Sequence, residues 1–98
     1  MLVERNDKLP IVILKLNGRI DSTNAPEFEK EIDAIGPDVE RLVIDCENLE
    51  YTSSAGLRVI LKAQKLMSRR GGLTLQKVSN EVMEILDITG FSEILNIE

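Results

Sequence analysis

The chain has no histidine, a single cysteine, no tryptophan and only 3% aromatic residues. Without histidine, Ser-His and Cys-His nucleophile pairs and imidazole metal sites are excluded. Cys46 can form no internal disulfide or metal site, and we expect it to pack as a small hydrophobic residue. Few aromatic side chains and a net charge of −5 argue against nucleic-acid binding. The composition therefore predicts no nucleic-acid partner, no metal and no cofactor.

Motifs of the common enzyme classes are also missing. No Gly-x-Ser-x-Gly elbow and no phosphate-binding glycine loop occurs, and no Ser-x-x-Lys spacing follows the serines at 53 and 54. No apolar run approaches the roughly 18–20 residues that span a membrane. The N-terminus lacks the layout of a secretory signal. We therefore expect a cytoplasmic protein that is not an enzyme and does not insert into membranes.

The chain is long enough for one small domain, and 43% hydrophobic residues predict a core of Ile, Leu and Val. The patterns predict a hairpin over residues 2–16 that turns at 6–8, and strands at 41–45 and 73–78. Asn24 and Ser79 are expected to cap helices, with Glu27 completing a capping box. This order indicates an α/β domain whose mixed, mostly parallel sheet has four to five strands and about four helices. The expected helices cover about 24–35, 54–70 and 79–90, and the tail from residue 91 is expected to form either a last helical turn or a final strand through Ile94, Leu95 and Ile97.

Two polar loops follow predicted strands. The first loop carries Asp21, Ser22 and Thr23, and the hydroxyl loop carries Thr52, Ser53 and Ser54 immediately before a predicted helix. The start of a helix favours negative charge, because its N–H groups are unpaired and its dipole is positive there. If the two preceding strands are parallel, both loops open at the same edge of the sheet. Plain helix capping explains one hydroxyl but not three.

The helix after the hydroxyl loop carries a basic stripe. Arg58, Lys62, Lys65 and Arg69 recur at i, i+4, i+7 and i+11, so they share one face. An ordinary solvated surface is one interpretation of this pattern. A docking strip for an acidic partner is the other, because the stripe begins beside the hydroxyl loop of an acidic protein. Arg58 is the first candidate for such a contact.

Residues 42–45 and 49–61 strongly resemble bacterial anti-sigma factor antagonists, which are STAS domains. The segment Ser54-Ala55-Gly56-Leu57 is the specific part of this resemblance. Weaker similarities at 18–21, 71–75 and 82–91 extend it over essentially the whole chain. The resemblance therefore implies a single STAS domain over residues 1–98.

The resemblance implies partner switching. The unphosphorylated antagonist binds an anti-sigma factor that is also a serine kinase, which releases the sigma factor. Phosphorylation of the antagonist by that kinase ends binding, and a serine phosphatase restores it. The acceptor falls on Ser54, while Asp21 matches the acidic residue that orients the hydroxyl and shapes the docking surface. The expected partner-binding residues are Asp21, Ser22, Thr23, Thr52, Ser53, Ser54, Gly56, Leu57, Arg58 and Lys62.

Some alternatives stay open at this point. Ser53 stands where family members often carry aspartate, so Ser53 and Thr52 are secondary candidates for the acceptor. The chain could instead be an accessory or structural STAS subunit of a transporter or signalling complex, in which Ser54 only caps a helix. A serine nucleophile and direct nucleotide binding are weaker alternatives, because no supporting motif accompanies them. The expected oligomeric state is a monomer or a weak dimer.

Overall fold

The computed structural model describes residues 2–98 and contains five strands, three α-helices and one 3₁₀ turn in that range. Strands alternate with helices after an N-terminal hairpin, as the sequence predicts, with three α-helices rather than about four. In chain order the elements are β1 (Val3–Lys8), β2 (Ile11–Ile20), α1 (Ala25–Asp33), β3 (Arg41–Thr52), α2 (Ser54–Met67), β4 (Leu73–Gln76), α3 (Asn80–Thr89), the 3₁₀ turn Phe91–Glu93 and β5 (Asn96–Ile97).

The five strands form one mixed sheet in the order β1-β2-β3-β4-β5. β1 pairs with β2 in the antiparallel sense, and the other three pairings are parallel. The hairpin turns at Leu9–Pro10, so the expectation of a turn at residues 6–8 is wrong by two residues. The register pairs Lys8 with Ile11, which leaves only the proline and its predecessor to make the turn. The predicted class, an α/β domain with a mostly parallel sheet, is confirmed.

β2 and β3 are both longer than their apolar patterns indicate. β2 continues through Gly18 to Ile20, and β3 continues from Asp45 to Thr52. The extension keeps the two strands paired, although the register shifts after Lys15 and again after Gly18. Gly18 adopts a φ of 81°, a conformation that side chains disfavour. Asn17-Gly18 therefore marks an irregularity within a strand and not its end.

The hydrophobic core lies on one face of the sheet, where all three helices contribute to it. β2 and β3 bury alternate residues, for example Leu14 and Ile44, as expected for strands covered on one side. The helices add their apolar stripes, including Phe28, Ile60 and Leu86. Cys46 is buried in this core as predicted. Burial, and secondarily the charge of Asp45, raises the pKa of its thiol to about 12.

The helix ends confirm part of the predicted capping. Ser79 caps α3 by accepting a hydrogen bond from Val82 N at 3.2 Å, and Gly90 ends α3 with a φ of 81°. Asn24 occupies the N-cap position of α1, but its side chain makes no capping hydrogen bond, so the predicted capping box does not form. α2 ends at Met67, before its predicted end at about residue 70. Its C-cap residue is Ser68, which keeps right-handed helical angles.

The segments that follow α1 and α2 are joined by hydrogen bonds. Arg70 follows α2, and its Nη1 donates hydrogen bonds to the carbonyl oxygens of Gly36 at 2.8 Å and Val39 at 2.9 Å. Both acceptors lie in the connection between α1 and β3. The guanidinium therefore satisfies carbonyl groups in that connection and fixes it against the end of α2. Among residues 2–98, no helix is long and apolar enough to cross a membrane.

Candidate functional site

The two polar loops meet at one edge of the sheet. β2 and β3 are parallel and pair Ile20 with Thr52, so their carboxyl ends lie side by side. A backbone hydrogen bond of 2.9 Å runs from Ser53 N to Ile20 O and joins the hydroxyl loop to the residue before the first loop. The expectation that both loops open at the same edge is confirmed.

The start of α2 gives each of its two serines a separate role. Ser53 is the N-cap: its Oγ accepts from Ala55 N at 3.3 Å, and its carbonyl accepts from Leu57 N at 3.1 Å. Ser54 is the first residue of the helix, and it is exposed. Capping therefore occupies the hydroxyl of Ser53, whereas the hydroxyl of Ser54 faces solvent.

Thr52 belongs to the core and not to the surface. Its side chain is 1% exposed, and its Oγ1 donates to Ser53 O at 3.1 Å. Gly56 packs directly against it: a Cβ added to this glycine would overlap Thr52 Oγ1 and lie 2.8 Å from Ile20 Cγ2. The structure does not support Thr52 as a phosphate acceptor, nor Thr52 or Gly56 as contact residues, because both are enclosed. Leu57 is 4% exposed, so it offers a partner little surface.

The first loop is organised around the carboxylate of Asp21. Its Oδ1 accepts hydrogen bonds from the hydroxyl of Thr23, from Thr23 N at 2.9 Å and from Asn24 N at 3.3 Å. These bonds, the hydroxyl of Thr23 first, hold the pKa of Asp21 below its usual value. Asn24 completes the loop by accepting from Asp21 N and donating to Arg19 O. Asp21 makes no hydrogen bond to Ser54 within residues 2–98, so its carboxylate shapes the first loop.

Two shallow cavities flank the beginning of α2. One, of about 330 Å³, lies between α1 and α2 and brings Ser22, Arg58 and Lys62 together. The other, of about 290 Å³, lies between α2 and the end of α3, with Ser54 and Arg58 on its wall. Arg58 therefore stands between the two cavities, next to the exposed serine. Of the predicted contact residues, the structure gathers Ser22, Ser54, Arg58 and Lys62 around this surface.

The basic stripe is not a uniform docking strip. Lys62 Nζ lies 2.9 Å from Glu29 Oε2 and 2.7 Å from Asp33 Oδ1, so it ties α2 to α1. Hydrogen bonds to Asp33 and then Glu29 raise its pKa. Arg58, Lys65 and Arg69 are exposed and have no ion pair among residues 2–98. Lys62 is therefore largely neutralised by its own chain, and Arg58 is the available cation nearest to Ser54.

One contact near the site has no counterpart in the sequence reasoning. The guanidinium of Arg19 lies 4.4 Å from the ring centroid of Tyr51, at cation–π distance. The two residues are paired across β2 and β3, one position before Ile20 and Thr52. Both residues lie in segments that carry the family resemblance, but only the strand register shows that they are paired.

The chain is similar to known proteins. Residues 2–98 match the family model of the STAS domain. BtrV of Bordetella bronchiseptica, named as an anti-sigma factor antagonist, is 38% identical over 86 residues, which cover 86% of this chain and 74% of BtrV. The chain belongs to the STAS domain family.

Solved structures share the fold. An anti-sigma factor antagonist from Mycobacterium paratuberculosis gives a TM-score of 0.86 at 22% identity, with 97% of this chain and 82% of that chain covered. The Bacillus anti-sigma factor antagonist SpoIIAA has been solved in two forms. Its unphosphorylated form gives a TM-score of 0.81 at 18% identity, covering 98% of this chain and 87% of that chain. Its phosphorylated form gives 0.74 at 15% identity, covering 98% and 90%.

Proposed function

We propose that this protein is an anti-sigma factor antagonist that acts by partner switching. Its unphosphorylated form binds an anti-sigma factor with serine kinase activity and so releases a sigma factor. Phosphorylation of Ser54 by that kinase ends the binding, and a serine phosphatase restores it. The proposal rests on membership in the STAS family, on similarity to anti-sigma factor antagonists and on one observation: Ser54 is the exposed hydroxyl of the three in the loop.

Ser54 is the proposed acceptor because its neighbours are already engaged. Thr52 is buried, and the hydroxyl of Ser53 accepts the capping hydrogen bond from Ala55 N. A kinase needs a hydroxyl that can enter its active site and approach the terminal phosphate of ATP. Only Ser54 can do so without opening the core or uncapping α2. Ser53 remains a secondary candidate, at the cost of its capping bond.

The phosphate is expected to stabilise the free protein slightly. It would lie in the first turn of α2, where the helix dipole favours negative charge by about 0.3–1 kcal/mol at an exposed position. Arg58 lies one turn further along the same helix, and no ion pair occupies it within residues 2–98. The fold therefore tolerates the modification, and the switch operates at the contact with a partner.

At the contact with a partner, the same phosphate is unfavourable. It brings about −1.5 to −2 charges to a chain whose formal charge is −5, which gives a total near −7. The first loop already presents Asp21, whose lowered pKa keeps it ionised at neutral pH. Docking would desolvate the phosphate beside this carboxylate. Each 1.4 kcal/mol of such cost weakens the affinity about tenfold.

The proposed docking surface consists of the exposed residues around Ser54. These are Asp21, Ser22 and Thr23 in the first loop, and Arg58 on α2. Arg58 is expected to pair with an acidic group of the anti-sigma factor, because no ion pair neutralises its charge within residues 2–98. Lys62 contributes less, since Glu29 and Asp33 already hold it.

Phosphorylation by a candidate anti-sigma factor with serine kinase activity tests the proposal. The wild-type protein and its Ser54→Ala and Ser53→Ala variants are incubated with that kinase and ATP, and intact mass is measured. We expect one phosphate on the wild type and on Ser53→Ala, and none on Ser54→Ala. Phosphate on Ser54→Ala but not on Ser53→Ala would move the acceptor to Ser53.

Binding measurements test the consequence. By calorimetry, Ser54→Ala should bind the anti-sigma factor as tightly as the unmodified wild type, and it should stay bound when ATP is added. Ser54→Asp and the phosphorylated protein should bind much more weakly. Equal affinities for modified and unmodified protein would show that charge is not the switch. Absence of both binding and phosphate transfer would favour an accessory STAS subunit, in which Ser54 has no regulatory role.

A further inference from the structure

β1 is an edge strand with unused hydrogen-bonding capacity. In the described part of the chain β2 is the one strand that pairs with it, and its residues from Glu4 to Lys8 are exposed. The opposite edge strand, β5, has only two residues, so β1 is the longer free edge. Exposed edges of this kind are templates for pairing with another strand.

The backbone direction of β1 follows from its pairing with β2. A hydrogen bond of 2.9 Å from Asn17 N to Leu2 O shows that Leu2 directs its backbone groups toward β2. Because these groups alternate along an antiparallel strand, Val3, Arg5 and Asp7 direct theirs away from the sheet. Three successive N–H and C=O pairs therefore line the free edge.

The side chains of β1 carry a charge pattern that complements itself. The sequence from Glu4 to Lys8 reads negative, positive, neutral, negative, positive, with Asn6 at its centre. When two copies of β1 lie antiparallel about Asn6, Arg5 of each copy faces Asp7 of the other. In the same alignment, Glu4 of each copy faces Lys8 of the other. Opposite charges directly across two strands stabilise their pairing.

The backbone selects the same alignment. In the register centred on Asn6, the outward groups of Arg5 face the outward groups of Asp7 in the second copy, so both pairs can exchange two hydrogen bonds. Shifting the register by two residues in one direction places Arg5 opposite Arg5, and in the other direction Asp7 opposite Asp7. Charged edges often block pairing, but here the charges block only the wrong registers.

We propose that β1 is a homodimerisation edge, at which two copies join their sheets antiparallel about Asn6 into one ten-stranded sheet. On the helix side of this edge, a cavity of about 390 Å³ is bordered by Val3, Arg5 and the α1 residues Glu27, Lys30 and Glu31. This cavity leaves space for the side chains of the second copy. Glu27, Lys30 and Glu31 are the charged residues of α1 that border the proposed interface.

The dimer leaves the proposed phosphorylation site free. β1 lies two strands away from β3, or roughly 10 Å across the sheet at the usual strand spacing. The twofold axis passes between the two Asn6 residues, so the strands of the two copies run in opposite directions. The two hydroxyl loops, which follow the carboxyl ends of β2 and β3, therefore lie at opposite ends of the strands in the joined sheet. Each copy could then bind its own anti-sigma factor.

The Arg5–Asp7 pair offers a charge-swap test. The Nε of Arg5 lies 2.7 Å from Asp7 Oδ1 of the same strand, so the double variant Arg5→Glu with Asp7→Arg preserves both this contact and the cross-strand pairing. Arg5→Glu alone places two like-charged pairs across the interface. Arg69→Glu changes the net charge equally on the exposed face of α2 and is the matched control.

Sedimentation equilibrium over a dilution series up to millimolar protein supplies the measurement. We expect the wild type and Arg69→Glu to dimerise, Arg5→Glu to weaken dimerisation at least about tenfold, and the double variant to recover most of it. Added salt should weaken the wild-type dimer. A monomeric wild type over the whole series would overturn the proposal. So would a dimer in which Arg5→Glu has no more effect than Arg69→Glu, or one that the double variant fails to restore.

Discussion

Replacing Gly56 by alanine tests the close packing beneath the hydroxyl loop. In an exposed helix this change stabilises by about 1 kcal/mol through helix propensity. Here the new methyl group would overlap Thr52 Oγ1 and lie 2.8 Å from Ile20 Cγ2. Both neighbours are buried and β-branched, so neither side chain can move away easily. Overpacking of this kind costs about 1–3 kcal/mol.

The packing cost is expected to exceed the gain in propensity. We therefore expect Gly56→Ala to lower the free energy of unfolding by about 1 kcal/mol. For a domain of this size, each 1 kcal/mol lowers the melting temperature by about 4–8 °C. Urea denaturation and calorimetry measure the two quantities. A variant that is as stable as the wild type, or more stable, would show that the space beside Thr52 is not as tight as described.

A second variant separates packing from other effects. Thr52→Ala removes the hydroxyl that overlaps the added methyl group, together with its hydrogen bond to Ser53 O, and should cost about 1–3 kcal/mol alone. In the double variant, the methyl group of position 56 occupies the vacated space. The combined loss should therefore be smaller than the sum of the single losses by about 1 kcal/mol. Strict additivity would refute a direct contact between the two positions.

Three further predictions concern capping, ion pairing and the buried thiol. Ser53→Ala should lower the stability by about 1 kcal/mol by removing the cap of α2, whereas Ser54→Ala should change it by less than about 0.5 kcal/mol in urea denaturation. Lys62→Met should lower the melting temperature slightly at low salt and leave it almost unchanged at high salt, because its ion pairs are half-exposed and screened by salt; melting curves at two salt concentrations measure this. The thiol of Cys46 has its pKa raised from 9.0 to about 12, so folding favours its protonated form, and stability should fall by about 1.4 kcal/mol per pH unit above pH 9. A Cys46→Ala variant with the same alkaline loss would assign that loss to other groups.

The order of elements could be predicted because local patterns carry it. Alternating apolar residues indicate β2, and Ser79 and Gly90 bound α3 with the expected chemistry. The predicted strand at 41–45 is shorter than β3, because the polar residues Glu47 and Asn48 interrupt its apolar pattern. The strand continues there because β2 lies alongside as a pairing partner, which no local pattern reveals.

In the candidate site, too, some features are indicated by the sequence and others depend on how the elements pack. The sequence places all three hydroxyls at the start of a helix, and the family resemblance selects Ser54 among them. The burial of Thr52, by contrast, depends on how α2 packs against β2, through Gly56 and Ile20. The partners of Lys62 lie on α1, so the neutralisation of this lysine depends on helix packing rather than on the spacing within α2.

The contacts that hold α1 against α2 determine how a modification at the start of α2 could act. Near the start of the two helices, Ser53 N donates a hydrogen bond to Ile20 O; further along, Lys62 pairs with Glu29 and Asp33 of α1; and beyond the end of α2, Arg70 donates hydrogen bonds to the connection between α1 and β3. A group attached at the start of α2 therefore finds no mobile element that it could displace. If Ser54 is phosphorylated as proposed, the phosphate would act through its local charge and size and not by moving the helices, and a partner would have to contact that residue directly.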